Sequence, residues 1–152
     1  MIKKILNDTE TFKFFNANPK DKRSGDCVLR AISTATGKTW DEVLDDLVIY
    51  SHKYKEMLDD PKCYAKYLEN LGFIKMSQPR KGDNTKYTGS EFCKLCSVNC
   101  TNGELIIAHI GGHHVVAIMP TREGDGINDR YKVLDIWDST GGTIGNYWIK
   151  RN

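Results

Sequence analysis

The stretch "SGDCVLRAISTATG", residues 24–37, sets a cysteine at the first turn of an amphipathic helix. Ser24 or Asp26 offers a short polar cap, and Val28, Ala31, Ile32 and Ala35 recur at helical spacing. Gly37 supplies the left-handed residue that stops such a helix. A thiol at a helix N-terminus faces unpaired backbone N–H groups and the positive end of the macrodipole, and both stabilise the thiolate. A cysteine on a helix is more commonly a small core residue. Whether Cys27 is a nucleophile therefore depends on the partners the rest of the chain supplies.

Working outward, "TFKFF" (11–15) has the composition of a short strand or a buried turn. Downstream, Thr39 and Glu42 in "TWDE" have capping-box spacing and predict a second helix to about Tyr54. Asp60–Pro61 opens a third helix that ends at Gly72, and "SQPRKGDNTK" (77–86) has the character of a crossing loop. Thr88 and Glu91 in "TGSE" cap a fourth helix through Cys96. The texture then changes. "ELIIAHI" (104–110), "HVVAIM" (114–119), "YKVLDIW" (131–137) and "NYWIK" (146–150) are β-branched and aromatic, with Gly-rich turns between them. Helices first and strands after is the segregated order of an α+β fold. The expectation is one domain over 1–152, a helical half packed on an antiparallel sheet, with Cys27 at the seam.

The strands carry the candidate partners. Of four histidines, two are adjacent in "GGHHVVAI", and "VLDIWDST" supplies Asp135 and Asp138. If the loop "TREGDGIND" (121–129) joins two antiparallel strands so that Pro120 faces Tyr131, His114 falls opposite Trp137. Asp135 is then its diagonal neighbour on the same face. His113 would face the other way, toward Asp138, and a slip of one residue would exchange the two histidines. His109 reads as structural or surface, and His52 suits the C-terminal end of its helix as an imidazolium. Arg30, one turn beyond Cys27, is either an ion-pair anchor or a substrate-facing charge. Trp137 is placed to shield a His–Asp pair from water.

Composition excludes several classes. Lys and Arg number 22 against 20 acids, and the short basic clusters have no interleaved aromatics, so nucleic acid is not an expected partner. No apolar run is long enough for a membrane span and no signal-peptide core follows the basic start, so the expected address is a reducing cytoplasm. Five irregularly spaced cysteines do not make a disulfide framework there. Cys93, Cys96 and Cys100 in "CKLCSVNC", with Cys63, contain one C-x-x-C but no second ligand pair. Cys93, Cys96 and Cys100 are expected as reduced, solvent-side thiols, with no metal and no cofactor.

A cysteine opening a helix, then a histidine starting an apolar strand, then an acid on the next strand followed by Trp, is the order of the papain-like cysteine peptidases. "GDCVLRAISTATGKTWDEV", "HVVAI" and "DIWDST…NYW" resemble in particular small papain-like proteins of bacteria and their phages. The likeness runs from Asn18 onward. It implies a papain-like fold and a triad of Cys27, His114 and Asp135, with Asp135 where papain relatives carry Asn. It implies a thiol hydrolase or transferase acting on an acyl or amide bond, with a protein or peptide substrate. The chain departs from the pattern at the oxyanion hole: its single Gln, Gln78, lies far downstream, and Asn18 in "NANPK" is the nearest substitute donor. Two other readings stand beside the enzyme. One is a non-catalytic module on the same fold that binds a host factor; the other is a zinc-stabilised binding domain built on the cysteine cluster.

Overall fold

The structure, a computed structural model, describes residues 8–121 and 130–151. The basic start and residues 122–129 of the expected turn lie outside that range. The element order is β1 (Phe12–Phe14), α1 (Cys27–Thr36), α2 (Trp40–Tyr54), α3 (Pro61–Asn70), β2 (Ile74–Met76), α4 (Gly89–Asn99), β3 (Leu105–Ile110), β4 (His114–Thr121), β5 (Arg130–Asp135) and β6 (Ile144–Lys150). The α+β class and the four helices match the expectation. β2 was not foreseen, because three residues of "IKM", mostly exposed, carry no usable period.

Local chemistry accounts for the helix ends. Thr39 accepts from the Glu42 N–H at 3.1 Å, Asp60 accepts from the Lys62 N–H at 2.9 Å ahead of Pro61, and Gly37 ends α1 at φ 76°. Thr88 and Glu91 form the full reciprocal box, at 3.2 and 3.0 Å. The first helix departs from this rule. Asp26 occupies the N-cap position of α1 but makes no side-chain cap bond, since its carboxylate is committed elsewhere.

The six strands form one mixed sheet in the order β1-β5-β4-β3-β6-β2. The expected antiparallel sheet needs correcting in one place: β1 runs parallel to β5, with Phe14 opposite Asp135. β4 and β5 pair antiparallel, with Pro120 opposite Tyr131, the register inferred from the sequence. The helices also do not form one half. Alternation along β3, β4 and β6 sends Ile107, Val115, Ala117 and Trp148 into a cluster with α1, α2 and α3. Ile106, Ala108, Val116, Ile118 and Ile149 go to a second cluster with Phe92, Cys93 and Cys96 of α4. α4 has its own buried face, and the sheet, apolar on both sides, requires a cover on each.

α1 is the most enclosed helix. Val28, Leu29, Ala31, Ile32 and Ala35 are buried, and so are Arg30 and Ser33. A helix apolar around most of its circumference belongs inside the molecule. Sinking α1 against β4 fixes its first residue, Cys27, over the start of that strand.

Candidate active site

Cys27 is half-buried at the N-terminus of α1, and His114 is the first residue of β4. The last residue of β5 is Asp135, which is 4% exposed. His114 Nε2 and Asp135 Oδ2 are 2.6 Å apart, so the other ring nitrogen, Nδ1, is left for Cys27, whose thiol hydrogen-bonds the imidazole. Asp135 is held in turn. Its Oδ1 accepts from the Ile136 N–H at 2.7 Å and its Oδ2 from the Ser139 hydroxyl at 3.0 Å, while Arg30 Nη2 stands 3.9 Å from Oδ1. Trp137 stacks on the imidazole with ring centroids 5.1 Å apart, one face on His114 and about half its surface (49%) exposed.

Opposing effects set the protonation of the pair. Burial alone raises the Cys27 thiol. The bond to His114, the Val115 backbone N–H and the positive charges of His114 and Arg30 together overcome it, and the thiol ends below its ordinary value. Burial likewise lowers an imidazolium, but the hydrogen bonds to Asp135 and Cys27 outweigh that and raise His114 to about 9. Both shifts favour a thiolate–imidazolium pair near neutral pH.

Under this pair lies a second buried network. Asp26, immediately before Cys27, ion-pairs with Arg30 one turn on, accepts from Trp40 Nε1 at 3.0 Å and from Asn18 Nδ2 at 3.1 Å. Arg30 also donates to the Ser24 carbonyl at 3.1 Å and faces Asp135. Arg30 is therefore the ion-pair anchor of the two readings considered, locking the first turn of α1 to the acid of the β4–β5 pair. Asn18 is held at both ends of its amide: Oδ1 accepts from the Lys20 N–H at 2.9 Å and one of the two Nδ2 hydrogens goes to Asp26. The residue expected to hold an oxyanion is thus tied to the carboxylate before the cysteine.

The other candidates separate cleanly. His113 is exposed, and Asp138 holds its own turn through the Thr140 N–H at 3.0 Å and hydroxyl at 2.5 Å. The alternative His113–Asp138 pairing is not formed. His109 is structural in position, between Tyr64 and Asn146. The cysteines of α4 depart from the solvent-side expectation, since Cys93 and Cys96 are core residues and only Cys100 is half-buried. Among the described residues no three or more His, Cys, Asp or Glu side chains are grouped to hold a metal ion. Also among them, no helix is long and apolar enough to cross a membrane.

Ser139 was not singled out from the sequence, although its place four residues after Asp135, across a tight turn, was the available signal. A groove of about 480 Å³ opens beside the pair, lined by His113, His114, Trp137, Asp138, Gly141 and Gly142 among others. Gly142 packs directly on the Gly111 backbone, 3.1 Å from its nitrogen as measured from where a Cβ would sit, which keeps this wall of the groove close. No family model matches the chain, and comparison with the curated proteins and with the solved structures returns no match.

Proposed function

We propose that the chain is a papain-like thiol hydrolase or transferase acting on an acyl or amide bond of a protein or peptide. Cys27 is the nucleophile, His114 the acid–base and Asp135 the orienting acid. The observation that carries this reading is the 2.6 Å His114–Asp135 bond, joined to a thiol already below its ordinary value. Attack by the thiolate forms the S–C bond and moves the carbonyl π electrons onto oxygen. Collapse breaks the bond to the leaving nitrogen, which takes its proton from the His114 imidazolium. Water, or another nucleophile, then gives a proton to His114 as it attacks the thioester and releases Cys27. Asp135 keeps Nε2 protonated and Nδ1 aimed at the sulfur throughout. The Cys27 backbone N–H, at the helix end, is one oxyanion donor.

The second reading is a non-catalytic module that binds another protein, and the commitment of Asn18 to Asp26 favours it. Thiol reactivity separates the two. A limiting dose of iodoacetamide near neutral pH, mapped by mass spectrometry, should label Cys27 first. Cys100 should follow, since the Cys96 thiol donates to it and lowers it against the effect of burial. The core thiols Cys63, Cys93 and Cys96 should come last. A Cys27 slower than Cys100 would remove the support for an activated nucleophile and leave the binding module.

A further inference from the structure

The segment "CKLCSVNC" (93–100) holds three thiols that the chemistry at Cys27 does not use. Cys96 lies in the last turn of α4 and is 4% exposed, whereas Cys100 caps the end of that helix and is half-buried. The Cys100 N–H donates to the Cys96 carbonyl at 2.8 Å, which closes one turn between the two residues. Both line a single cavity of about 180 Å³, together with Phe92, Glu104, Tyr147 and Arg151. Cys96 stands on its core side and Cys100 on its solvent side. Cys93 does not join them, because its thiol turns to the Thr11 carbonyl, 3.9 Å away.

The spacing suits a bond between the two sulfurs. Residues one closed turn apart have Cα atoms about 6 Å from each other, inside the span of roughly 4.4–6.8 Å that a disulfide bridges. At Cys100 the backbone has already left the helix (φ −90°, ψ 105°), so its side chain is free of the rotamers that a helix imposes. The Cys96 thiol donates its hydrogen to the Cys100 sulfur. That bond lowers Cys100 against burial and the charge of Glu104, with Tyr131 and Arg151 assisting, and the same bond, followed by burial, raises Cys96. An accessible thiolate beside a protonated, sheltered thiol is the division between an attacking and a resolving sulfur.

We propose that Cys96 and Cys100 are a redox pair, closed to an intramolecular disulfide by a small disulfide of the glutathione class. The Cys100 thiolate attacks one sulfur of that reagent and forms a mixed disulfide. The other half leaves as a thiolate and takes up a proton, equal to the one Cys100 had given up. With the charge on Cys100 gone, Cys96 no longer holds its hydrogen for a neighbouring anion. Its sulfur attacks that of Cys100, the bond between them forms, and the second half of the reagent leaves with the proton that Cys96 loses. Two protein thiols are oxidised and one small disulfide is reduced to two thiols. The pair belongs to the α4 face of the sheet, opposite the face that carries Cys27, and the proposal is independent of the thiol-hydrolase reading.

The test equilibrates the full chain with reduced and oxidised glutathione at several ratios, then quenches with N-ethylmaleimide in acidic denaturant and digests with trypsin. Cleavage after Lys94 puts Cys96 and Cys100 on one peptide, apart from those of Cys93 and Cys27. The expected product is that peptide two hydrogens lighter and free of maleimide, restored by dithiothreitol, while Cys93 stays alkylated. Cys96→Ala should stop the reaction at a glutathione adduct on Cys100, and Cys100→Ser should leave Cys96 unmodified in the native chain. Thermal melts check that both variants fold, and if either does not, the wild-type mapping decides alone. A wild-type chain that stops at the adduct on Cys100, a link between Cys93 and Cys96, or closure seen only in denaturant would each overturn the pair. So would two thiols that stay reduced under excess oxidised glutathione.

Discussion

Cys27 opens α1 and Cys93 lies one turn inside α4, on opposite faces of one sheet, and their environments drive them apart. Burial raises both. Around Cys93 only one weak backbone contact opposes it, and the thiol is pushed up to about 12. Around Cys27 an imidazole, a backbone N–H and a guanidinium oppose burial and win. Burial sets the cost of charge, and the charged or donating neighbours decide whether the thiolate forms.

The sharpest way to break that comparison is to remove the imidazole. His114→Ala leaves the burial of Cys27 and deletes its largest favourable neighbour. Alkylation of Cys27 near pH 7 should fall about a hundredfold, measured as a second-order rate by mass spectrometry. His113→Ala, on the exposed neighbour, serves as the control and should stay within about twofold. A collapse in His113→Ala with a normal rate in His114→Ala would move the pair by one residue.

On the other side of the comparison, Cys93 should matter to stability and not to chemistry. Cys93→Ser places a hydroxyl in a site with 0% exposure, whose thiol has the Thr11 carbonyl at 3.9 Å and the Val133 backbone as its partners. The expected cost is about 2 kcal/mol, read by chemical denaturation, with the Cys27 alkylation profile unmoved. A shifted profile would mean that the two faces of the sheet are coupled.

The smallest effect sharpens the part played by Asp135. Asp135→Asn keeps an acceptor for Nε2 but removes the charge, so alkylation near pH 7 should fall about tenfold. A stability readout accompanies it. His114 is raised from 6.5 to about 9, so its proton contributes stability that is fully present below pH 6.5 and lost as pH rises through 9. In a Cys27→Ala background the thiol's share of that rise is lost, so a smaller fall in Tm, set by Asp135, should remain as pH rises above about 6.5. The drop should be smaller with Asn at 135, and an equal drop would place the source of the shift elsewhere.

Much of the fold was legible because it is written in local chemistry. Thr39, Asp60, Thr88 and Gly37 mark helix ends through bonds to residues at most a turn away, and sequence spacing alone predicts such bonds. The β4–β5 register followed from one assumption about a turn, and with it the choice of His114 over His113. What escaped has little local pattern or none. β2 is too short for a period, and β1 could be seen as a strand but not as a parallel neighbour of β5, because that pairing joins residues far apart in sequence. α4 was foreseen as a helix, but its face of the sheet was not. Both faces of a core sheet are apolar, so composition does not say which one a helix covers.

At the site the division is the same. The sequence by itself determined a thiol at a helix start, a strand led by His114 and a following strand that carries Asp135, since strand period and turn geometry carry that much; the end of β5 at Asp135, short of the expected Trp137, came from the structure. Only the tertiary structure decided that Asp26 would leave its capping role for Arg30, Trp40 and Asn18, and that Ser139 would close on Asp135. It alone brought Tyr64 from α3 and Asn146 from a β6 bulge onto the two nitrogens of His109. Caps and strand alternation are settled within a few residues. A buried polar group takes whichever partner the packed core brings within reach, and that choice is made when the distant elements meet.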